Sequence, residues 1–221
     1  MDRENQRTVK REKDAMQVTV IDYKAGNLTS VLKTLHHLDA ETQVTGGDLS
    51  LVASAERIVL PGVGHFAATE RLDRTGLTAA IRAAIVHGVP FLGICVGMQW
   101  LFSGSTEAPD QPGLGEFPET CTRFPEGAEK VPHVGWNSLE ARANSRLFAN
   151  VAPGEFVYFT HSYKAPVIAD AAATTNYIEP FAAAIERGNV MGVQFHPEKS
   201  GETGLKILRN FLAWQPENAL C

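Results

Sequence analysis

From Val18 onward, short apolar runs with β character alternate with runs that have helical periodicity. Parallel strands need long crossover connections, and helices usually form those crossovers and cover the sheet. The pattern therefore predicts an α/β fold with a mostly parallel central sheet flanked by helices. The predicted elements are strands at 18–22, 41–45, 57–60 and 90–95 and helices at 27–38, 77–88, 96–102 and 204–214.

The second half of the chain has a different pattern. Residues 156–163 are β-like, and residues 181–196 are predicted to form a hairpin with Arg187-Gly188-Asn189 at its turn. An antiparallel C-terminal part is therefore expected beside the parallel strands. Residues 104–130 are rich in Gly, Pro and Glu, and we expect a loop with short strands there.

Composition and charge narrow the function classes. A chain of 221 residues, 44% of them apolar, is long enough for one α/β domain with a full core. The net charge of −5 gives no indication of a nucleic-acid or anionic-membrane partner. Cys95, Cys121 and Cys221 have neither metal-ligand spacing nor a disulfide pattern. This cysteine usage favours a reducing, cytoplasmic compartment.

Two segments resemble targeting or membrane sequences only superficially. Residues 1–15 mix both charge signs without an apolar core, so they do not match a signal peptide. We interpret them as a disordered tail or an upstream extension, with one domain over residues 16–221. The most apolar stretch, residues 83–102, contains Pro90 and Gln99 and is interpreted as a buried strand between two helices.

The segment Gly93-Ile94-Cys95-Val96-Gly97 joins a predicted strand to a predicted helix. It matches the nucleophile elbow G-x-S-x-G with cysteine in place of serine. In such a turn the nucleophile has an unusual backbone conformation, and the flanking glycines avoid side-chain clashes. The helix that follows directs its first amides toward the sulfur, which favours a thiolate. The alternative is a buried structural cysteine at the end of a strand.

A histidine and a glutamate flank a proline at the end of the later β-like run. His196 and Glu198 could share one face of an extended segment, or the turn at Pro197 could bring them together. A carboxylate that accepts from one imidazole nitrogen fixes the tautomer and leaves the other nitrogen free to take a thiol proton. The alternative is an exposed His-Pro turn with a solvated glutamate.

Pro61-Gly62-Val63-Gly64 follows a predicted strand directly. Its glycines leave backbone N–H groups accessible, and in a cysteine acyl-transfer enzyme such groups would bind the oxyanion. The alternative is an ordinary turn from strand to helix. Phosphate and dinucleotide loops are disfavoured, because the sequence contains neither G-x-x-x-x-G-K-[ST] nor G-x-G-x-x-G.

Cys95 within GICVGMQ, together with the distant GVQFHPEKS, resembles the class I, or triad-type, glutamine amidotransferases. Further segments resemble the glutaminase subunits of imidazole glycerol phosphate synthase, an enzyme of histidine biosynthesis. These segments are IDYKAGNLTSV at 21–31, LPGVGHF at 60–66, KVPHVGWN at 130–137 and YFTHSY at 158–163. The resemblance extends over residues 18–214 and departs at Lys24-Ala25, where the family more often has a small residue after the tyrosine.

The resemblance implies a class I amidotransferase fold and hydrolysis of glutamine to glutamate and ammonia, with no metal or organic cofactor. In this reading Cys95 is the nucleophile, His196 the general base and then acid, and Glu198 the residue that orients His196. The implied glutamine contacts are Gly62, Val63, Gly64, Gln99, His161, Ser162 and Tyr163. The residues implied to face a partner are Lys130, His133, Trp136 and Asn137.

The implied partner is a (β/α)₈-barrel cyclase that forms a heterodimer with this chain. Ammonia would react there with a phosphoribulosyl-formimino carboxamide ribonucleotide to give imidazole glycerol phosphate and an aminoimidazole carboxamide ribonucleotide. Three alternatives stay open at this point. They are the glutaminase of pyridoxal phosphate synthase or another amidotransferase, a cysteine peptidase or esterase with the same elbow, and a non-catalytic α/β binding scaffold.

Overall fold

An eight-stranded sheet forms the centre of the computed structural model, which describes residues 16–127 and 129–215. The strands are β1 (Gln17–Ile21), β2 (Glu41–Thr45), β3 (Ile58–Gly62), β4 (Phe91–Cys95), β5 (Phe102–Ser105), β6 (Phe117–Arg123), β7 (His133–Ser138), β8 (Glu140–Ala141), β9 (Phe156–His161), β10 (Tyr163–Lys164), β11 (Ala171–Tyr177), β12 (Glu179–Arg187) and β13 (Val190–Val193). The helices are α1 (Leu28–His37), α2 (Leu49–Ala53), α3 (Glu70–Arg74), α4 (Leu77–Val86), α5 (Val96–Gln99) and α6 (Gly201–Ala213), with 3₁₀ turns at Phe66–Thr69 and Pro197–Lys199.

The large sheet has the strand order β2-β1-β3-β4-β13-β12-β11-β8. The strands from β2 to β13 in this order are parallel, and β12, β11 and β8 add to them in antiparallel fashion. The predicted α/β class, with a mostly parallel sheet and an antiparallel C-terminal part, is therefore confirmed. The predicted hairpin is β12–β13, and its turn lies at Gly188-Asn189.

Burial explains why these segments form these elements. Strands β3, β4 and β13 are buried along their whole length, as expected for central parallel strands covered on both faces. Helix α1 buries Val31 and Leu35 at helical spacing, and α6 buries Ile207 and Phe211. Helix α4 ends before Gly88, whose φ of +86° suits the left-handed residue that commonly follows a helix.

Two predicted boundaries are wrong, and one strand was missed. The helix predicted over 96–102 ends at Gln99, because the Trp100 carbonyl accepts from the Leu114 backbone and Phe102 pairs with Phe117 as a strand. Strand β3 continues through Pro61 to Gly62, whereas the predicted strand ended at Leu60. Strand β11 was not predicted, since its alanines and threonines show no apolar alternation in the sequence.

The departure from the family at Lys24 has a local explanation. Lys24 has a φ of +66°, in the left-handed region that glycine adopts readily and in which other residues are strained. Its backbone N–H and its ammonium group both bind the carboxylate of Asp22, at 2.9 and 2.7 Å. These two bonds hold the larger residue in the conformation that a small one adopts more readily.

Two expectations concerned the N-terminal residues and a possible membrane-spanning segment. The tail or extension over residues 1–15 lies outside the residues that the structure describes. Within the described residues, no helix is both long and apolar enough to cross a lipid bilayer. Residues 83–102, where a span was considered, instead form the end of α4, then β4 and α5.

Candidate active site

The carboxyl ends of three neighbouring strands meet at one point of the large sheet. Gly62 at the end of β3 is in register with Cys95 at the end of β4, and Val193 at the end of β13 is in register with Ile94. His196 follows β13 by three residues, so it emerges beside Cys95. Ligands of open parallel sheets bind at this carboxyl edge, which makes it the position to search for chemistry.

Cys95 sits in the strained turn that the sequence predicts. Its φ of 54° and ψ of −108° lie outside the regions that non-glycine residues ordinarily occupy. The neighbouring glycines are required by packing: a Cβ on Gly93 would overlap the Gly97 carbonyl, and one on Gly97 would overlap the Leu60 carbonyl. Helix α5 therefore packs backbone to backbone on the sheet and holds the sulfur at the strand end.

The turn at Pro197 brings the imidazole and the carboxylate together. His196 Nδ1 lies 3.0 Å from Glu198 Oε1, and both side chains are almost completely buried. The backbone is fixed at this turn, because the His196 amide donates to the Tyr158 carbonyl and the Ser200 hydroxyl donates to the His196 carbonyl. Of the two geometries left open by the sequence, the structure has the turn.

The environment of His196 favours its protonated form. Burial alone would lower the pKa of this imidazole, but the electrostatic influence of Cys95 and the hydrogen bond to Glu198 outweigh burial and raise the pKa to about 10. Nε2 makes no hydrogen bond within the described part of the chain and is left for the thiol and the substrate. Such contacts are often long in a ligand-free site and shorten when substrate binds.

A cavity of about 240 Å³ opens beside the Cys95 sulfur. This is below the roughly 300 Å³ at which drug-sized pockets begin, and it suits a ligand the size of an amino acid. Its walls come from the elbow, the segment after β3 and the end of β9. The lining residues are Gly64, Cys95, Val96, Gln99, Glu107, Pro132, Thr160, His161, Ser162 and Tyr163.

The three predicted glycine-loop residues differ in position. Gly62 is buried, and a Cβ there would overlap the Tyr23 hydroxyl. Val63 is half-buried, and Gly64 alone of the three lines the cavity. Gly64 has a φ of +93°, and its missing Cβ would meet open space, so backbone conformation and not crowding demands glycine there.

Gly64→Ala is expected to lower glutamine turnover by roughly 10- to 1,000-fold, because a shifted backbone would misdirect one oxyanion donor. The measurement is the steady-state rate of glutamine hydrolysis. Gly88→Ala is the matched control, since Gly88 also has a positive φ, +86°, and open space at its Cβ but lies beyond α4. Equal rate losses in the two variants would contradict a role for the Gly64 amide.

His161 lines the cavity, and both of its ring nitrogens have partners within the protein. His161 Nδ1 lies 2.9 Å from the Tyr163 carbonyl, and Nε2 lies 3.1 Å from His133 Nδ1. Both ring nitrogens are therefore committed, and His161 cannot offer one to a ligand. Ser162 and Tyr163 line the cavity together with His161, and all three stay predicted neighbours of the substrate.

His133 is buried and not at a surface. Its side chain is 3% exposed and lies between the rings of Phe159 and Tyr177, at 4.8 and 4.0 Å between ring centroids. The prediction that His133 faces a partner is therefore wrong for its side chain. The other residues of that prediction differ: Lys130 and Trp136 are exposed and Asn137 is half-buried.

Two residues of the site were missed by sequence reasoning. Glu107 lines the cavity, and its carboxylate accepts from the Phe66 backbone N–H at 2.8 Å. Gln194 is fully buried, donates to the Cys95 sulfur at 3.6 Å and accepts from Gln99 at 3.0 Å. Gln194 stands two residues before His196, which places it near the site, but no local pattern in the sequence indicates its partners.

The described residues contain no group of histidine, cysteine, aspartate and glutamate side chains arranged to hold a metal ion. The arrangement that does exist is a strained cysteine, an imidazole paired with a buried carboxylate, and a small polar cavity. Nucleophilic attack, proton transfer and binding of a polar substrate require parts of these kinds.

Comparisons with known proteins show the family to which this chain belongs. A family model described as glutamine amidotransferase class-I matches residues 19–214. The imidazole glycerol phosphate synthase subunit HisH of Deinococcus radiodurans is 44% identical over 202 residues, which cover 89% of this chain and 93% of the relative. The Arabidopsis thaliana imidazole glycerol phosphate synthase hisHF, chloroplastic, is 45% identical over 204 residues, which cover 88% of this chain but 34% of that longer protein.

Among solved structures, PurLQS from Thermotoga maritima has a TM-score of 0.69 at 22% identity, covering 90% of this chain and 98% of that one, which supports the fold. The fold is that of the glutamine amidotransferases, a class of enzymes. The chain belongs to the class I glutamine amidotransferase family and, within it, to the HisH subunits of imidazole glycerol phosphate synthase. The peptidase, esterase and pyridoxal phosphate synthase alternatives find no support in these relatives.

Proposed function

We propose that this chain hydrolyses glutamine to glutamate and ammonia with Cys95, His196 and Glu198, and supplies the ammonia to a cyclase in histidine biosynthesis. The observation that carries the proposal is the buried His196–Glu198 pair, 3.0 Å apart, beside a cysteine in a strained turn. A carboxylate in this position holds the imidazole in one orientation and stabilises its cation.

The reaction proceeds through a thioester. The Cys95 sulfur attacks the γ-carboxamide carbon, and backbone N–H groups of Val96 and Gly64 stabilise the oxyanion. The carbon–nitrogen bond breaks as His196 gives its proton to the departing ammonia. His196 then takes a proton from water, whose oxygen attacks the thioester carbon, and glutamate leaves as the thiolate is restored.

The lining of the cavity fits the α-substituents of glutamine. Glu107 supplies an anionic oxygen that would attract the α-ammonium group. Gln99 Oε1 is buried without a hydrogen-bond partner in the described structure, so it can accept an N–H from the substrate. Ser162 and Tyr163 are placed to contact the α-carboxylate end. No step requires a metal ion or an organic cofactor.

The proposed docking surface for the (β/α)₈-barrel cyclase is the outer face of the β7–β9 ribbon. Val134, Trp136 and Phe156 are more than half exposed on these two strands. Exposed apolar side chains grouped in this way are typical of a protein interface. In the Arabidopsis relative the matched region is 34% of the protein, and a synthase fused in one chain is consistent with a two-part enzyme.

The proposed function is tested by measuring glutamine hydrolysis for this chain alone, with a cyclase subunit, and with cyclase and its ligand. Ammonia release that rises with the cyclase and its ligand is expected, because an ammonia donor uncoupled from its acceptor would waste glutamine. A chain that never turns over glutamine would support the non-catalytic scaffold. A cytoplasmic location is part of the proposal, supported by the unpaired Cys95 and Cys121.

Trp136→Ser is expected to weaken cyclase binding by about 10- to 100-fold, because exposed tryptophans are frequent centres of binding energy. A titration of labelled cyclase measures the change. Val86→Ser on α4 is the control, since Val86 is 79% exposed and lies on a different element. An unchanged affinity for the Trp136 variant would remove the ribbon from the proposed interface.

A further inference from the structure

A continuous chain of hydrogen bonds leads from the β7–β9 ribbon to the Cys95 sulfur. It begins at Asn137, passes through two buried histidine rings and reaches the carbonyl of Tyr163. From there it continues through the side-chain amides of Gln99 and Gln194. The proposed mechanism uses only Cys95 and Gln99 of this hydrogen-bond chain and assigns no role to its other members.

The direction of every bond in the histidine part is determined. The Tyr163 carbonyl can only accept, so His161 donates from Nδ1 at 2.9 Å. A neutral ring with its proton on Nδ1 accepts at Nε2, so His133 donates from its own Nδ1 at 3.1 Å. The Asn137 amide then donates to His133 Nε2 at 3.4 Å. The Ser138 N–H donates to Asn137 Oδ1 at 2.8 Å and fixes that amide.

Burial keeps both rings neutral, which this direction requires. Desolvation lowers the pKa of His133 to about 4 and the pKa of His161 to about 3. For His161, this value includes the raising effect of the Tyr163 carbonyl and the lowering effect of the charges of His133, His196 and Lys164. Near neutral pH each ring therefore has one donor and one acceptor.

The Tyr163 carbonyl links the histidines to the glutamines, because it accepts from both His161 and Gln99 and the bond from His161 holds it in place. Gln99 Nε2 donates to the Tyr163 carbonyl at 2.8 Å and to Gln194 Oε1 at 3.0 Å. Since Gln194 uses its oxygen as the acceptor, its nitrogen must face Cys95, and it donates to the sulfur at 3.6 Å. If the side-chain amide of Gln99 were flipped by 180°, its oxygen would face Gln194. Gln194 would then donate to that oxygen and present its own oxygen to the sulfur, and an acceptor there would disfavour a thiolate.

We infer that Gln194 is a catalytic residue that donates a hydrogen bond to the Cys95 thiolate, and that His133, His161 and Gln99 are positioning residues that hold its amide in the donating orientation. The inference adds a hydrogen-bond donor on the nucleophile and its supporting chain to the proposed triad. It rests on the proposed function only for the reaction that the thiolate performs. The reactivity of Cys95 can be measured without glutamine.

Two substitutions at His133 separate positioning from packing. His133→Phe keeps the ring between Phe159 and Tyr177 but removes the donor to His161. His133→Asn removes the ring, whereas its amide nitrogen can take the place of Nδ1. A packing role predicts that the Phe variant is closer to the wild type in every measurement. A positioning role predicts that Cys95 reactivity in His133→Asn is closer to the wild type than in His133→Phe.

The experiment follows alkylation of Cys95 by iodoacetamide in the intact chain, with the modified peptide quantified by mass spectrometry over a range of pH. Gln194→Met should slow the reaction at pH 7 by about tenfold or more, the effect of losing one hydrogen bond to a charged group. His133→Phe should slow it by about fivefold and shift the pH profile upward, since the donor on sulfur is weakened and not deleted. His133→Asn should stay within about twofold of the wild type.

Melting temperatures serve as the control. Phe159→Leu perturbs the same ring stack without touching the polar chain, and it should lower the melting temperature yet leave the alkylation profile unchanged. Alkylation rates that follow melting temperature across the variants would overturn the inference, as would an unchanged rate in Gln194→Met. If the wild type shows the expected alkylation pattern but never hydrolyses glutamine with any cyclase, the proposed function fails and this inference stands.

Histidine nitrogen NMR gives an independent measurement on folded protein. His133 and His161 should both appear as neutral rings protonated on Nδ1, the less common tautomer in water. The signal assigned to His133 should vanish in His133→Asn, while His161 keeps its tautomer because the Tyr163 carbonyl still accepts from it. Protonation of either ring on Nε2 near neutral pH would break the direction of the chain and overturn the inference.

Discussion

Cys95→Ala is expected to abolish glutamine hydrolysis, with a rate reduction on the order of 10⁴-fold or more, because no other atom can form the thioester. The fold should persist, since alanine keeps the Cβ and removes one sulfur at the cavity wall. Far-ultraviolet circular dichroism and the melting curve measure the fold. Ammonia release measures the activity.

Two comparisons make this result specific. Cys121→Ala removes a sulfur that is also buried but does not line the cavity, and glutamine turnover in this variant should be normal. The Cys95→Ala protein mixed with the cyclase should still support synthesis when ammonium is added, because the cyclase does not need this thiol. Full glutaminase activity in Cys95→Ala would refute the mechanism.

His196→Ala should reduce glutamine turnover by roughly 10²- to 10⁴-fold, the range for loss of a positioned acid and base. Glu198→Gln should reduce glutamine turnover by a smaller factor. The hydrogen bonds of the His196 backbone to Tyr158 and Ser200 keep the residue in place, and the imidazole loses only its carboxylate partner. Stopped-assay ammonia release on all three proteins establishes the order. Full activity in Glu198→Gln would show that Cys95 and His196 suffice and that Glu198 is not part of the catalytic machinery.

The pH dependence follows from the raised pKa of His196, about 10 in the folded protein. An imidazole with a raised pKa contributes stability that is fully present below its unfolded value, near 6.5, and is lost as pH rises through the folded pKa. Glu198→Gln removes one of the interactions that raise this pKa. The alkaline loss of turnover and of stability should therefore move to lower pH in that variant, as pH-rate and pH-melting profiles would record.

Local patterns predicted the catalytic elements because their signals are short-range. The elbow around Cys95 is encoded in five consecutive residues, and its strained φ of 54° agrees with the pattern. The Pro197 turn likewise places two side chains from neighbouring positions at 3.0 Å. Alternation of strands and helices gave the sheet class, since crossover connections are also local in sequence.

The remaining features depend on contacts that no local pattern contains. Helix α5 stops at Gln99 because a distant segment pairs with the chain that follows it. Glu107 reaches the cavity from a region of weak periodicity. His161 and His133 were assigned to substrate and partner by position along the chain, whereas their burial and mutual hydrogen bond come from the way β7 pairs with β9.

The central position of β13 has a consequence for synthesis on the ribosome. This strand is the last one in the described part of the chain, yet it inserts between β4 and β12. The segment that follows it brings Gln194 and His196 to a cysteine made 99 residues before Gln194. Until β13 has left the exit tunnel, the growing chain has a nucleophile without its base and a sheet with an open gap. An unfinished chain therefore cannot release ammonia, and premature termination before β13 yields an inert and unstable product.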